Sequence, residues 1–317
     1  MLCGIRTARK FSFFSPPVGR KILVVTATSK VIYTLLLLTA AIDLALIGML
    51  GFSVPWRDFL YVFFIIVALG SITGYCRWRR IETIALFSES MMQLSFGAVA
   101  FVVLQYLCAT FNFPLVDSHL IAADRALGVS IPAIVTWVRA HPALSALLVC
   151  AYNSLLFQTL FVIVFFSVLN QRPPLERFVA WFTISLAICI LVFTLFPAAG
   201  PRATLAFSSS PDELRYLDQL LALRNGSLHL FSFDTSEGMI TFPSFHTAWA
   251  ILLTLAFWKR WTLFIFSAIL NMLVLISVAT VGGHYVIDIP TAIVVVTFAV
   301  LLTRQLTRPT APGDGGV

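Results

Sequence analysis

The sequence predicts an all-α protein, a polytopic bundle of transmembrane helices with about eight spans. Hydrophobic residues make up 59% of the 317 residues and charged residues only 11%, whereas soluble domains carry about 25% charged residues. So few charges cannot cover a surface that faces water, so most of the surface must face lipid. The same composition excludes a disordered chain, which requires low hydrophobicity and high charge.

Apolar segments long enough to cross a bilayer recur along the whole chain. A helix that crosses about 30 Å of hydrocarbon needs roughly 20 apolar residues. Eight segments meet or approach this requirement, the sixth being short: 30–52, 57–76, 90–112, 143–169, 178–196, 246–258, 262–280 and 285–303. Residues 113–142 mix apolar and charged side chains, which predicts interfacial helices at the headgroup level.

The distribution of basic residues predicts the orientation of the bundle. With a cytoplasmic N-terminus, 15 of the 21 Lys and Arg residues fall in cytoplasmic loops and tails, as the positive-inside rule requires. Both termini are therefore expected in the cytoplasm, and the longest loop, about 197–245, on the periplasmic or extracellular face of a cell (inner) membrane. Because the basic residues lie between apolar runs, the net charge of +7 does not indicate nucleic-acid binding.

His284 and Asp288 form the first group of candidate functional residues. In a helix, a spacing of four places two side chains on one face, within reach of each other. A carboxylate that accepts a hydrogen bond from one imidazole nitrogen fixes the tautomer and raises the basicity of the other nitrogen. His284 would then be a nucleophile or a base. The alternative is that the two side chains only satisfy each other, although ionisable residues inside a membrane usually mark functional sites.

The segment Pro243-Ser244-Phe245-His246 predicts a helix start on the outer side. Serine is a preferred N-cap, and the apolar span follows at once. The free N–H groups and the positive end of the helix dipole favour a bound phosphate, which would place His246 beside the anion, ready to donate a proton. The alternative is a capping serine followed by a histidine at the membrane interface.

Arg202 and Glu237 are charged candidates in the long outer loop. A guanidinium suits phosphate because its planar fork bonds bidentately, although a lone arginine at an interface also serves as an anchor. For Glu237 three roles stay open: a contact to a substrate hydroxyl, a partner for Arg202, or a solvated loop charge.

Metal binding is the competing chemistry for two histidines and a carboxylate, since that ligand set holds non-haem iron. We expect no metal, because Asp288 lies where it can orient His284. The five cysteines form no close pair, so neither a disulfide framework nor a zinc site is expected.

These motifs resemble those of the type 2 phosphatidic acid phosphatase superfamily, which carries Lys-x6-Arg-Pro, Pro-Ser-Gly-His and Ser-Arg-x5-His-x3-Asp. Residues 243–246 match the second motif with Phe in place of Gly, and Ser277, His284 and Asp288 match the third. The resemblance implies that His284 forms a phosphohistidine, that Asp288 orients it, and that His246 protonates the leaving group. It also implies that no metal or cofactor takes part.

Departures from these motifs bear on the substrate. Val278 stands where the third motif has Arg, Pro201-Arg202 reverses the Arg-Pro order, and Leu195 stands where Lys is expected. With two phosphate-clamping cations missing, a phosphodiester with one negative charge is favoured over a dianionic monoester. The spacing of His284, Tyr285 and Asp288 is similar to that of inositol phosphorylceramide synthases and sphingomyelin synthases, which makes Tyr285 a further candidate substrate contact.

The resemblance implies a lipid phosphotransferase, similar to inositol phosphorylceramide synthase, that acts on a phospholipid or lipid phosphate in the bilayer. A lipid phosphate phosphatase of the same superfamily is the alternative, and a non-catalytic transporter or scaffold is the alternative from another class. The resemblance divides the chain into a basic cytoplasmic tail (1–29), two additional transmembrane helices (30–89), a membrane domain with a six-helix catalytic core (90–303) and a second tail (304–317). No oligomeric state follows from it.

Overall fold

The structure is a computed structural model that describes residues 25–205 and 209–308. Thirteen helices lie within these ranges: α1 Ala27–Leu50, α2 Trp56–Trp78, α3 Glu82–Ala109, α4 Asp117–Ala126, α5 Ile131–Arg139, α6 Pro142–Asn153, α7 Leu155–Val168, α8 Arg172–Leu195, α9 Pro201–Thr204, α10 Pro211–Arg224, α11 Phe245–Ala256, α12 Trp261–Thr280 and α13 Asp288–Leu306. The all-α membrane bundle is confirmed. Most of the predicted N-terminal tail and residues 309–317 lie outside the described residues.

Six of these helices, α1, α2, α3, α8, α12 and α13, are long and apolar enough to cross a membrane. The predicted fourth span is two helices, α6 and α7, bent by 43°. The predicted interfacial helices α4 and α5 are bent by 76°, and if each bent pair crosses, the spans number eight. With 12 residues, α11 is about 18 Å long, so this predicted sixth span is too short to cross alone.

Helix α8 lies at the centre of the bundle, in contact with α1, α3, α7, α11 and α13. Its residues Phe178, Val179 and Ala180 are fully buried, as are Ala248 and Ala250 on α11. Because lipid is as apolar as the helices, helix association in a bilayer depends on close packing, which small residues permit. The alanines therefore let α11 sit deep between its neighbours.

An ion-pair network built on two buried carboxylates and two half-buried arginines ties the first two helices to the rest. Arg172 on α8 lies 3.1 Å from Glu89 on α3 and 3.0 Å from Glu176, and Arg77 at the end of α2 also pairs with Glu89. Ser29 on α1 donates a hydrogen bond of 3.0 Å to Glu176. Charges buried in a membrane need such partners, so this network docks α1 and α2 on α3 and α8.

The predicted boundary between residues 89 and 90 falls inside α3, which begins at Glu82. The two additional helices predicted for residues 30–89 therefore correspond to α1 and α2. The division into added helices and catalytic domain stays a prediction, as does the assignment of the two ends of the bundle to cytoplasm and periplasm.

Candidate active site

Two imidazole rings, distant in the sequence, meet at one end of the bundle. The ring centroids of His246 and His284 are 6.0 Å apart, with 57° between the ring planes. His246 is the second residue of α11, and His284 lies in the turn between α12 and α13. The structure therefore brings together the two histidines that the sequence singled out.

The start of α11 positions His246. The Ser244 hydroxyl accepts a hydrogen bond from the Thr247 N–H at 3.3 Å, and the helix begins at Phe245, so the predicted cap is confirmed. Ser244 and the preceding Pro243 are buried; their contact with phosphate stays a prediction. The ring of Tyr152, near the end of α6, stacks on His246 at 4.7 Å. Tyr152 is a site residue that motif reasoning did not assign a role.

Two acceptors hold the ring of His284. Its Nδ1 lies 2.8 Å from the Thr241 carbonyl oxygen and 3.2 Å from an Asp288 carboxylate oxygen. Because a carbonyl oxygen only accepts, Nδ1 must carry the proton, which leaves the lone pair on Nε2. The predicted orienting contact from Asp288 is present, but Thr241 shares that role at a shorter distance.

The prediction that His284 and Asp288 share a helix face is wrong. Helix α12 ends at Thr280 and α13 begins only at Asp288, because two glycines intervene. Gly283 has a φ of +66°, which favours glycine. A Cβ on Gly282 would lie 2.9 Å from His284 and 3.0 Å from Tyr152. The glycines therefore break the helix and leave room for the imidazole.

Two aspartates on α4 hold the segments around His284, and the motif analysis missed this role. Asp124 accepts hydrogen bonds from the backbone N–H groups of Val286 at 3.1 Å and Ile287 at 2.8 Å. Asp117 accepts from the N–H groups of residues 199 and 200, both at 2.8 Å. A spacing of seven places both on one helix face. Two carboxylates seven apart in a largely apolar segment were the sequence signal for this role.

Tyr285 lies inside the protein next to His284, and its contact with a substrate stays a prediction. The side chain is fully buried; its hydroxyl donates to Asp117 at 2.7 Å and bonds the Thr204 hydroxyl at 2.8 Å. Burial above all raises the pKa of the phenol, and the Asp117 carboxylate adds to the effect. Tyr285 therefore stays protonated and links the turn after His284 to α4 and α9.

We expect the Asp117→Leu variant to unfold at a markedly lower temperature than the wild type. The change leaves two backbone N–H groups and the Tyr285 hydroxyl without an acceptor, and each unpaired buried group costs about 1–3 kcal/mol. Asp117→Asn keeps one acceptor oxygen and should lose less. Thermal unfolding of the purified protein in detergent measures this, with the exposed Asp234→Asn as control. Equal midpoints for Asp117→Leu and wild type would show that Asp117 does not hold these segments.

The guanidinium of Arg202 already has partners. It donates to the Val281 carbonyl at 2.6 Å and lies 3.0 Å from a Glu213 carboxylate oxygen. Glu237 pairs with Arg215 at 3.3 Å, so the idea that Glu237 is the partner of Arg202 is wrong. Arg202 is therefore already ion-paired, and phosphate binding by Arg202 stays a prediction, as does substrate contact by Glu237.

Glu213 bridges two arginines at the start of α10. Its carboxylate also lies 3.1 Å from Arg139 and accepts from the Ser210 N–H at 2.8 Å. Burial opposes ionisation, but this hydrogen bond and the two arginines outweigh it and lower the pKa of Glu213. A cavity of about 230 Å³ lies against these charges, with Val138 and Val149 among its apolar walls. The arrangement suits a polar headgroup next to hydrocarbon.

Within residues 25–205 and 209–308, no group of three or more His, Cys, Asp or Glu side chains could hold a metal ion. Asp288 faces the Nδ1 atom of His284, as an orienting group does. Independence from metal stays a prediction about the reaction.

The residues of the candidate active site lie in a region that matches a known protein family. The family model described as the PAP2 superfamily matches residues 118–302, more than half of the chain, and its range includes both histidines, Asp124 and Asp288. Helices α1 to α3 lie outside the match. The search of curated proteins found no match, and the search of solved structures found none either. The chain belongs to the PAP2 superfamily, whose members are generally phosphatases or phosphotransferases.

Proposed function

We propose that the protein is a membrane lipid phosphotransferase, similar in activity to inositol phosphorylceramide synthases, that works through a phosphohistidine at His284. The observation that carries the proposal is the 6.0 Å separation of the His246 and His284 rings. At this separation one phosphoryl group can contact a nitrogen of each ring. The tautomer of His284 supports the proposal, because its Nε2 lone pair is available for attack.

In the first step, Nε2 of His284 attacks the phosphorus of a phospholipid while the bond to the lipid oxygen breaks. Protonated His246 gives its proton to the departing lipid alkoxide, which leaves as an alcohol. The phospho-headgroup is now bonded to His284. The ring gains positive charge, which the carboxylate of Asp288 and the carbonyl of Thr241 stabilise through Nδ1–H.

In the second step, neutral His246 takes the proton of an acceptor hydroxyl. The acceptor oxygen attacks phosphorus, the phosphorus–nitrogen bond breaks, and His284 returns to its starting state. A lipid hydroxyl as acceptor gives transfer, and water gives hydrolysis. The same side chains serve both outcomes.

The surroundings of the two rings favour transfer from a phosphodiester. Val278, which stands in the place of the motif arginine, is fully buried, and His284 is only 2% exposed. Arg202 is already paired with Glu213. The site therefore offers little uncompensated positive charge for a dianionic monoester, and a closed site limits the access of water.

Purified full-length protein, incubated with phosphatidylinositol labelled in its headgroup phosphate, tests the proposal. With ceramide added as the acceptor, we expect a new labelled lipid on thin-layer chromatography, and an excess of EDTA should leave its rate unchanged, because no step uses a metal ion. Release of labelled headgroup phosphate instead would identify a hydrolase. Loss of activity in EDTA with recovery in zinc or iron would establish the metal alternative.

Vanadate separates the enzyme from the transporter or scaffold, because it mimics pentacoordinate phosphorus. An enzyme of this mechanism is inhibited by it. A protein that neither makes a labelled product nor responds to vanadate, with any of these lipids, would not be this phosphotransferase.

A further inference from the structure

Helices α1, α2 and α3 enclose an apolar cavity of about 310 Å³ that the proposed reaction does not use. Its size lies at the lower end of the range of small-molecule pockets, about 300–1,000 Å³. Side chains such as Phe63, Phe96 and Val103 form its walls, and Phe233, from the segment between α10 and α11, also lines it. Neither histidine of the active site lines it. The three helices also lie outside residues 118–302, which match the superfamily.

Asp43 is the one charged residue among those that line the cavity. The residue is 6% exposed, and its Oδ1 atom has no hydrogen-bond partner within residues 25–205 and 209–308. The nearby Asp58 differs, because its carboxylate accepts from the Phe233 N–H at 3.1 Å. A buried acceptor without a partner is costly, and an ionisable residue inside a membrane is a functional-site candidate.

The position of Asp43 sets the depth of this site. Asp43 lies seven residues before Leu50, the last residue of α1, hence about 10 Å along the helix from its end. The carboxyl group therefore sits below the level of the headgroups, in the hydrocarbon region. A ligand that reaches it must bring a polar group into that region.

The side of the cavity is open to the bilayer. Leu44, Phe59 and Phe63 line the cavity, and each is more than half exposed on the surface that faces lipid. A hydrocarbon chain can therefore enter sideways from the membrane, without passing through water.

We propose that this cavity binds a neutral lipid that carries a hydroxyl group, with a hydrocarbon chain in the cavity and the hydroxyl on Asp43. A hydroxyl both donates and accepts hydrogen bonds, so it satisfies the carboxyl group in either protonation state. A phosphate would be repelled by a carboxylate, and a charged group is expensive at this depth. Diacylglycerol and long-chain alcohols belong to this class.

Photolabelling of the purified full-length protein tests this site. The probe is a diacylglycerol with a diazirine in one acyl chain, and the competitors are unlabelled diacylglycerol and its deoxy analogue, which has hydrogen in place of the hydroxyl. We expect adducts on α1 to α3, and competition by diacylglycerol at least about tenfold stronger than by the deoxy analogue, because one hydrogen bond to a carboxyl group is worth about that factor.

Two variants of Asp43 serve as a matched pair. Asp43→Asn keeps a donor and an acceptor and should keep most of the labelling, whereas Asp43→Leu should lose about tenfold or more. Wild-type labelling in Asp43→Leu, or equal competition by the deoxy analogue, would overturn the proposal, because the cavity would then take any hydrocarbon chain. If Asp43→Leu does not fold, competition by diacylglycerol and by its deoxy analogue on the wild type still tests the proposal.

Discussion

The His284→Ala variant should lose at least about 1,000-fold in turnover of the phospholipid donor, because removal of a catalytic nucleophile costs several orders of magnitude. Alanine cannot form the bond to phosphorus on which both half-reactions depend. The variant should still insert into membranes and fold, since the carboxylate of Asp288 and the carbonyl of Thr241 lie beside a turn that other bonds hold. The transfer assay with labelled phosphatidylinositol and ceramide measures the loss.

His119→Ala is the matched control for this variant. His119 is an exposed histidine on α4, so its removal tests whether the loss of any histidine is harmful, and we expect activity within about twofold of the wild type. Activity in a well-folded His284→Ala variant would remove His284 from the mechanism. Acid-labile, alkali-stable label on the wild-type protein, absent in the variant, would identify the phosphohistidine directly.

The His246→Ala variant should show a defect that depends on the leaving group. A general acid contributes about 10²–10⁴-fold, and this factor is needed when the leaving group is a lipid alkoxide. A donor with a p-nitrophenyl ester in place of the lipid ester needs no proton on departure. For the first step with that donor, we expect the defect to fall to within about tenfold of the wild type.

The defect of His246→Ala with each donor is measured in single-turnover experiments, as release of p-nitrophenol from one donor and of the lipid alcohol from the other. In His246→Ala the phosphohistidine should then accumulate, because the variant lacks the base that activates the acceptor. An equal loss with both donors would mean that His246 holds the structure of the site and does not transfer a proton.

The sequence was sufficient to predict features that depend only on neighbouring residues and on whether they face lipid or water. In lipid every backbone polar group must form a hydrogen bond within the protein, so a long apolar segment forms a helix. The eight predicted segments all contain helix, and Ser244 caps α11 as its position before an apolar run indicated. The broken span at α6 and α7 was not predicted, because hydropathy does not report a bend.

Motif spacing also identified the two histidines that meet. What it missed was the support around them. Asp117 bonds to backbone groups 82 and 83 residues away, and Thr241 shares the orientation of His284 across 43 residues. Which residues become partners across such sequence distances depends on how whole helices pack. A single sequence does not show which helices are in contact.

By itself, then, the amino-acid order determined an all-helical membrane protein, the cap at Ser244 and the two candidate histidines, since periodicity, capping and hydropathy act over a few neighbouring residues. The tertiary structure alone decided that His284 lies in a turn, that Glu213 pairs with Arg202, and that Asp43 lines an apolar cavity, its Oδ1 atom having no hydrogen-bond partner among the described residues. The physical reason is range: hydrogen bonds and ion pairs form only within a few ångströms, and only the folded bundle brings these groups that close.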